Sequence, residues 1–162
     1  MAAGFLVVQR IGELYIARLN RKWSLEQGAV EFGARHYPLF LILHTGWFIG
    51  WVTEALKINM ISPFWPAWLA LFIAAQGLRY WCILTLGRQW NTRILVIPGY
   101  KAVRRGPYRY LPHPNYLAVA IELIAIPMLF GAVLTAFVST VLNAALLFLI
   151  RIPEEEKALR LL

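Results

Sequence analysis

The chain has 162 residues, 60% hydrophobic and only 15% charged, against about 25% charge in an ordinary soluble domain. Its mean hydropathy is +0.60; a chain this apolar cannot hide its surface from water, and its length leaves no room for a separate soluble catalytic domain. The net charge of +8, with no Asp, fits anionic lipid headgroups and the positive-inside rule better than nucleic acid, so no nucleic-acid partner is expected.

In chain order, residues 4–19 predict a first, amphipathic span, retained because the N-terminus lacks the cleavage pattern of a signal peptide. Gln9, Arg10 and Glu13 fall within about one turn of it, and that face should point at protein. The segment NRKWSLEQGAVEFGARHYP follows as a polar connector, a cytoplasmic loop or surface helix, with Gly28 and Gly33 inside it. Residues 37–56 are long enough to span, with Trp47 and Trp51 as packing or interfacial residues, and residues 64–87 form the third span. Arg79 in that third span needs a partner, since an unpaired charge there costs several kcal/mol; Glu13, Glu54 and Glu122 are the candidates. Cys82, the single cysteine, lies in the same apolar run, has no second cysteine to bridge or build a cluster with, and reads as packing.

Residues 88–115, with six Lys or Arg, four Pro and two Gly, predict an irregular loop across the membrane surface. Spans at 116–130 and 133–151 follow as a tight helical hairpin about Gly131, and a charged helix opens near Pro153. The expected architecture is therefore an all-α polytopic membrane protein, one domain over 1–162 with about five transmembrane helices, the last two a tight hairpin, a long cytoplasmic loop and a C-terminal helix. Basic residues set the orientation: Arg21, Lys22 and Arg35, the six of the long loop, and Arg151, Lys157 and Arg160 belong on the cytoplasmic side, against Lys57 alone on the other.

Two polar clusters flank the last hairpin, RGPYRYLPHPNY at 105–116 and RIPEEE at 151–156. A hairpin brings its ends together, so His113 and Tyr116 are expected to share a cavity with Arg151 and the three glutamates. The prolines on either side of His113 stiffen its turn. Such a cluster offers donors, a fixed cation and carboxylates; it has neither a metal cage nor an activated nucleophile, so no metal site is expected.

The pattern GPYRYLPHPNY, then a membrane hairpin, then R-I-P-E-E-E resembles the isoprenylcysteine carboxyl methyltransferase (ICMT) family, whose members read G-x-Y, R-H-P-x-Y and R-x-x-x-E-E. The front half, QRIGELYIARLNRKW and GAVEFGARHYPLFLILHT, resembles more narrowly a bacterial branch associated with type III polyketide synthases, which methylates alkylpyrones or alkylresorcinols. The resemblance implies that S-adenosyl-L-methionine contacts Tyr100, Lys101, Ala102 and Val103, then Tyr108, then His113, Pro114, Asn115 and Tyr116, and finally Glu155. Arg151 would face and anchor an anionic acceptor, and Glu156 would orient Arg151 or accept a proton from a weakly acidic phenol. Pro112 stands where the family commonly has Arg, leaving Arg109, Arg105 or Lys101 to hold the cofactor carboxylate, and a short tail common in relatives is expected to be absent after Leu162.

The leading expectation is thus an S-adenosylmethionine-dependent O-methyltransferase in the bacterial inner membrane. Its active site would face the cytoplasm and its lipid-tailed acceptor would come from a polyketide synthase. Two alternatives stand beside it. One is a prenylcysteine carboxyl or phospholipid methyltransferase; the other is a non-catalytic scaffold whose basic loop binds anionic lipid or a partner enzyme.

Overall fold

Pro38, Pro66 and Pro114 each sit in the first turn of a helix, where a missing N–H removes no hydrogen bond. In the computed structural model, which describes residues 2–160, these helices are α2 (Tyr37–Ile58), α3 (Trp65–Leu86) and α4 (Pro114–Leu129), preceded by α1 (Ala2–Glu26) and followed by α5 (Val133–Leu146) and α6 (Ile152–Leu159). Three helical stretches, 34–58, 65–89 and 133–159, are long and apolar enough to cross a membrane, and α4 is a shorter apolar helix.

Three features differ from expectation. The connector read as starting at Asn20 is helical to Glu26, because Arg21, Lys22 and Glu26 are good helix formers and the chain turns only near Gly28, at φ +81°. The connector and the long loop, read as irregular, contribute β1 (Val30–Phe32) and β2 (Ile94–Val96), which pair antiparallel with Glu31 opposite Leu95. Ile94, Val96 and Phe32 pack with Ala158, so this ribbon rests on α6.

The helix expected to start afresh near Pro153 instead continues α5 through a π-helical turn at Leu147–Arg151. Pro153 has no N–H, and in a regular helix its ring would strike the carbonyl of Leu149; the wider turn relieves that conflict. The turn also sets the direction in which Arg151 leaves the helix.

Packing between α3 and α4 is close because small residues face each other. Ala75, Cys82, Ala118 and Ala125 are at most 1% exposed. A second core gathers Leu6 of α1, Trp47 and Trp51 of α2, Leu123 and Ile126 of α4, and Ala132. Trp47 Nε1 donates to Leu123 O at 3.1 Å, and the Trp51 and Phe130 rings stack 5.4 Å apart. A Cβ on Gly50 would crowd Thr135 Oγ1 at 3.0 Å, so α2 and α5 approach closely there.

Arg79 meets two of its three candidates. Its guanidinium donates to Glu13 at 3.2 Å and to Glu122, and Arg10 donates to the same two carboxylates. Gln9 and Gln76 complete the set, Gln9 Nε2 donating to Glu13 at 2.9 Å and Gln76 Nε2 to Glu122 at 3.2 Å. Two arginines and two glutamates make a neutral network joining α1, α3 and α4. Glu54 is elsewhere, at the start of α5, where its carboxylate accepts from Leu134 N and from Thr135 N and Oγ1.

Candidate active site

The polar elements collect at one end of the bundle. Asn20 Nδ2 donates to Trp90 O at 2.8 Å and Asn91 Nδ2 to Ala17 O at 3.2 Å, which fastens the start of the long loop to α1. The Trp23 and Tyr100 rings meet edge to face at 6.2 Å, fastening the same loop further on. Its next turn, Gly106–Arg109, lies against α3: a Cβ on Gly106 would sit 2.4 Å from Thr85 Oγ1, and φ there is +55°. Only glycine fits, and its fit delivers Tyr108 two residues later.

Beneath this loop lies a cavity of about 1020 Å³. One wall is polar, formed by Tyr100, Lys101, Ala102, Val103, Tyr108, His113, Asn115, Tyr116, Arg151 and Glu155. The other runs between α1 and α2 and is largely apolar, with Leu6, Val7, Ile11 and Leu14 facing Phe40, Leu41 and Phe48, though Arg10, Glu13, His44 and Arg79 also reach it. Val7, Ile11 and Leu14 also remain exposed on the outside of α1, so the groove opens on the apolar flank of the bundle. The volume is at the upper end of small-molecule sites, about 300–1,000 Å³.

A chain of contacts organises the polar wall. The Tyr116 hydroxyl donates to Glu155 and accepts from Arg151 Nε at 3.0 Å. Arg151 Nη2 also donates to Thr92 O at 3.1 Å, and its guanidinium lies 5.8 Å from the Phe40 ring centre. The His113 ring stacks on Tyr116 at 5.2 Å, with Nδ1 3.7 Å from Glu155. Burial first, and then the neighbouring Cys82, Glu155 and Tyr116, push the Tyr108 hydroxyl well above its ordinary range, so it stays a neutral donor.

The expected residues are therefore brought together from positions about forty apart, with two corrections. Pro114 is fully buried in packing and does not line the cavity. Glu156 is exposed on α6 and also outside it, since successive helical residues diverge by about 100° and Glu155 takes the inward direction. Of the cations considered for the place of the family arginine, Lys101 and Arg109 line the cavity, whereas Arg105 is turned away and donates to Thr85 O at 3.4 Å. Sequence reasoning missed Tyr37, Thr92, Asn143 and His44, which line the cavity too. His44 was the findable one: a lone ionisable residue within an apolar span.

Apolar helices long enough to cross a membrane, closing over a cavity with a polar wall, define an integral membrane protein. The model of the isoprenylcysteine carboxyl methyltransferase family matches residues 68–161, and the chain belongs to that family, whose enzymes use S-adenosylmethionine as methyl donor. It is 41% identical to the uncharacterized protein YpbQ of Bacillus subtilis (strain 168), over 96% of this chain and 92% of that protein. It is 29% identical to an uncharacterized protein of Haemophilus influenzae, over 93% of this chain and 88% of that protein. No solved structure matches it.

The residues present fit the donor. Asn115 Oδ1 is buried without a partner in the polar wall, as an amide oxygen waiting for an N–H or hydroxyl would be. Glu155 and Tyr116 offer a carboxylate and a hydroxyl, and Lys101 and Arg109 offer cations; these suit an ammonium, ribose hydroxyls and a carboxylate on one ligand.

Proposed function

We propose that this methyltransferase O-methylates a lipophilic small molecule of the alkylpyrone or alkylresorcinol type, with its active site at the cytoplasmic face of the bacterial inner membrane. The observation that carries the reading is the continuity of the cavity from its polar wall to the apolar groove between α1 and α2. A flat polar ring fits the first and an alkyl tail the second, so the acceptor enters sideways from the bilayer. A polyketide synthase is the class of enzyme that would supply it.

In this reading, Tyr100–Val103, Tyr108, His113, Asn115, Tyr116 and Glu155 hold S-adenosylmethionine, and Lys101 or Arg109 takes the carboxylate that the family arginine would hold. When bound, that cofactor supplies an electrophilic methyl group on a sulfonium. The protein's contribution is alignment, because an in-line displacement gains most of its rate from holding the reacting atoms close together. Arg151, fixed by Tyr116 and Thr92, anchors the acceptor's developing oxyanion. A prenylcysteine carboxylate could use the same arginine, and this keeps carboxyl methylation as a second reading.

The crossing number belongs to the same proposal: α1 to α5 all cross, with the N-terminus outside. Support comes from Leu6 of α1, which packs beside Ala132 at the far turn while Asn20 bonds the loop at the polar end.

Calorimetric titration of S-adenosylhomocysteine into detergent-purified protein, beside His113→Ala and Glu155→Gln, tests the cofactor site. Binding by the wild type that both variants lose supports it. No binding by folded wild type overturns it in favour of a scaffold, and extracted lipids incubated with labelled donor then identify the acceptor class.

A further inference from the structure

Deep in the cavity, one turn of α2 beyond Phe40, sits His44. Its Nδ1 is 2.8 Å from Phe40 O, and a carbonyl only accepts, so Nδ1 carries the proton of the neutral ring. The lone pair is left on Nε2, which has no hydrogen-bond partner among the described residues while the ring lines the cavity. A free acceptor nitrogen on the cavity lining, beside Arg10, Glu13 and Arg79, offers a place for a donor on the ligand.

Its place relative to the rest of the site follows from helix geometry. The Arg151 guanidinium lies 5.8 Å from the Phe40 ring, and four residues of helix add about 6 Å. Arg151 and His44 both line the same cavity. The charged groups lining the cavity with His44 are Arg10 and Glu13 from α1, Arg79 from α3 and, further on, Arg151 and Glu155, while Glu122 of α4 pairs with both Arg10 and Arg79.

We propose that His44 Nε2 is the base that takes the proton from a hydroxyl-bearing acceptor, and that it thereby selects phenols over carboxylates. The inference rests on the methyl-transfer reading and deepens it. The acceptor O–H bond breaks and its proton passes to Nε2. The oxygen pair forms the bond to the sulfonium's methyl carbon, and the carbon–sulfur pair leaves with sulfur as a thioether. The imidazolium then loses its proton to water at the polar end of the cavity. A carboxylate has no proton to offer Nε2 and would face its lone pair; Glu156, exposed on α6, cannot serve as the base from where it stands.

The test uses the full-length protein in lipid nanodiscs and compares wild type with His44→Asn. The Asn amide keeps a donor for Phe40 O and so preserves the structural role while deleting the lone pair. Three probes are offered: a long-chain 5-alkylresorcinol, a 4-hydroxy-6-alkylpyrone that arrives already ionised, and N-acetyl-S-farnesylcysteine. The expected result is a loss of resorcinol turnover of about 10²–10⁴-fold, with pyrone turnover and S-adenosylhomocysteine affinity little changed. In ¹⁵N-histidine-labelled wild type, a pyridine-type Nε2 resonance, absent from the variant, should shift when the resorcinol is added without any methyl donor.

Retained resorcinol turnover, equal loss on resorcinol and pyrone, or an unmoved Nε2 resonance overturns the proposal. A wild type that binds S-adenosylhomocysteine yet methylates only the farnesylcysteine, or neither hydroxylated probe, also overturns it while leaving the methyltransferase reading in place. No S-adenosylhomocysteine binding to wild type overturns both.

Discussion

Tyr116 is the hinge of the polar wall, because one hydroxyl serves two charged neighbours: it donates to Glu155 and accepts from Arg151. Tyr116→Phe keeps the ring stacked on His113 but leaves the carboxylate without its donor and the guanidinium without one acceptor. Hydrogen bonds to charged groups are worth about 1.5–3 kcal/mol. Both lost bonds are internal to the protein, so thermal stability should fall by an amount of that order, and S-adenosylhomocysteine affinity in calorimetry should fall about 10- to 100-fold as the carboxylate and guanidinium lose their fixed positions. An unchanged affinity would mean that Tyr116 only packs. Most of this residue-scale chemistry was legible in the chain, since the two motifs name the residue types and the short return from α4 to α5 brings them together. Glu156 was misplaced because a run of three glutamates does not reveal which of them points inward, and only helical phase decides that. His44 carries one local signal, an ionisable side chain within an apolar run, but no motif around it, and its partner, Phe40 O, is backbone and leaves no trace in the sequence.

At the scale of elements, the ribbon of β1 and β2 forms one edge of the cavity and is clamped electrostatically. Glu31 accepts from Arg21 at 2.9 Å and from Arg93, whose guanidinium also lies 4.1 Å over the Tyr37 ring. Burial alone would raise the Glu31 carboxyl, but the hydrogen bonds from Arg93 and then Arg21 hold it below its ordinary 4.5. A carboxyl lowered by folding contributes stability that is complete above its unfolded value and is lost as pH falls through the folded one. Hydrogen exchange of the Val30–Phe32 and Ile94–Val96 amides should therefore accelerate as pH is lowered below about 4.5, relative to helix amides in the same sample. In Glu31→Gln, exchange should already be fast at neutral pH and lack that acid step. The ribbon itself was not legible: three-residue strands leave no periodic signal, and the pairing joins residues more than sixty positions apart. The helices were, because runs of about twenty apolar residues and a proline in the first turn are local features.

For the whole molecule, the neutral network of Arg10, Glu13, Arg79 and Glu122 ties three helices at mid-depth, and removing one partner strands the others. Glu122 is 1% exposed and Arg79 3%, and breaking a buried pair costs about 3–5 kcal/mol. Glu122→Ala should thus lower the melting temperature in detergent sharply, and Glu122→Gln, which keeps an acceptor but not the charge, should fall between it and wild type. The network is also what permits a polar α1 to run the length of the bundle, and that leads to topology. Ser62 N donates to Leu129 O at 3.0 Å, so the loop after α2 and the turn after α4 share the end opposite the basic one. The basic end holds Arg21, Arg93 and Arg104, and the proposed orientation puts it in the cytoplasm, in keeping with the positive-inside rule. In a Cys82→Ala background, which removes the only native thiol, an added Cys at Met60 should react with an impermeant maleimide in intact cells, whereas one at Arg104 should react only after the membrane is opened. Labelling of both positions in intact cells would remove the cytoplasmic site from the proposal, and labelling of Arg104→Cys alone would invert it, placing the methyl-donor pocket on a side where no cytosolic supply of S-adenosylmethionine could reach it.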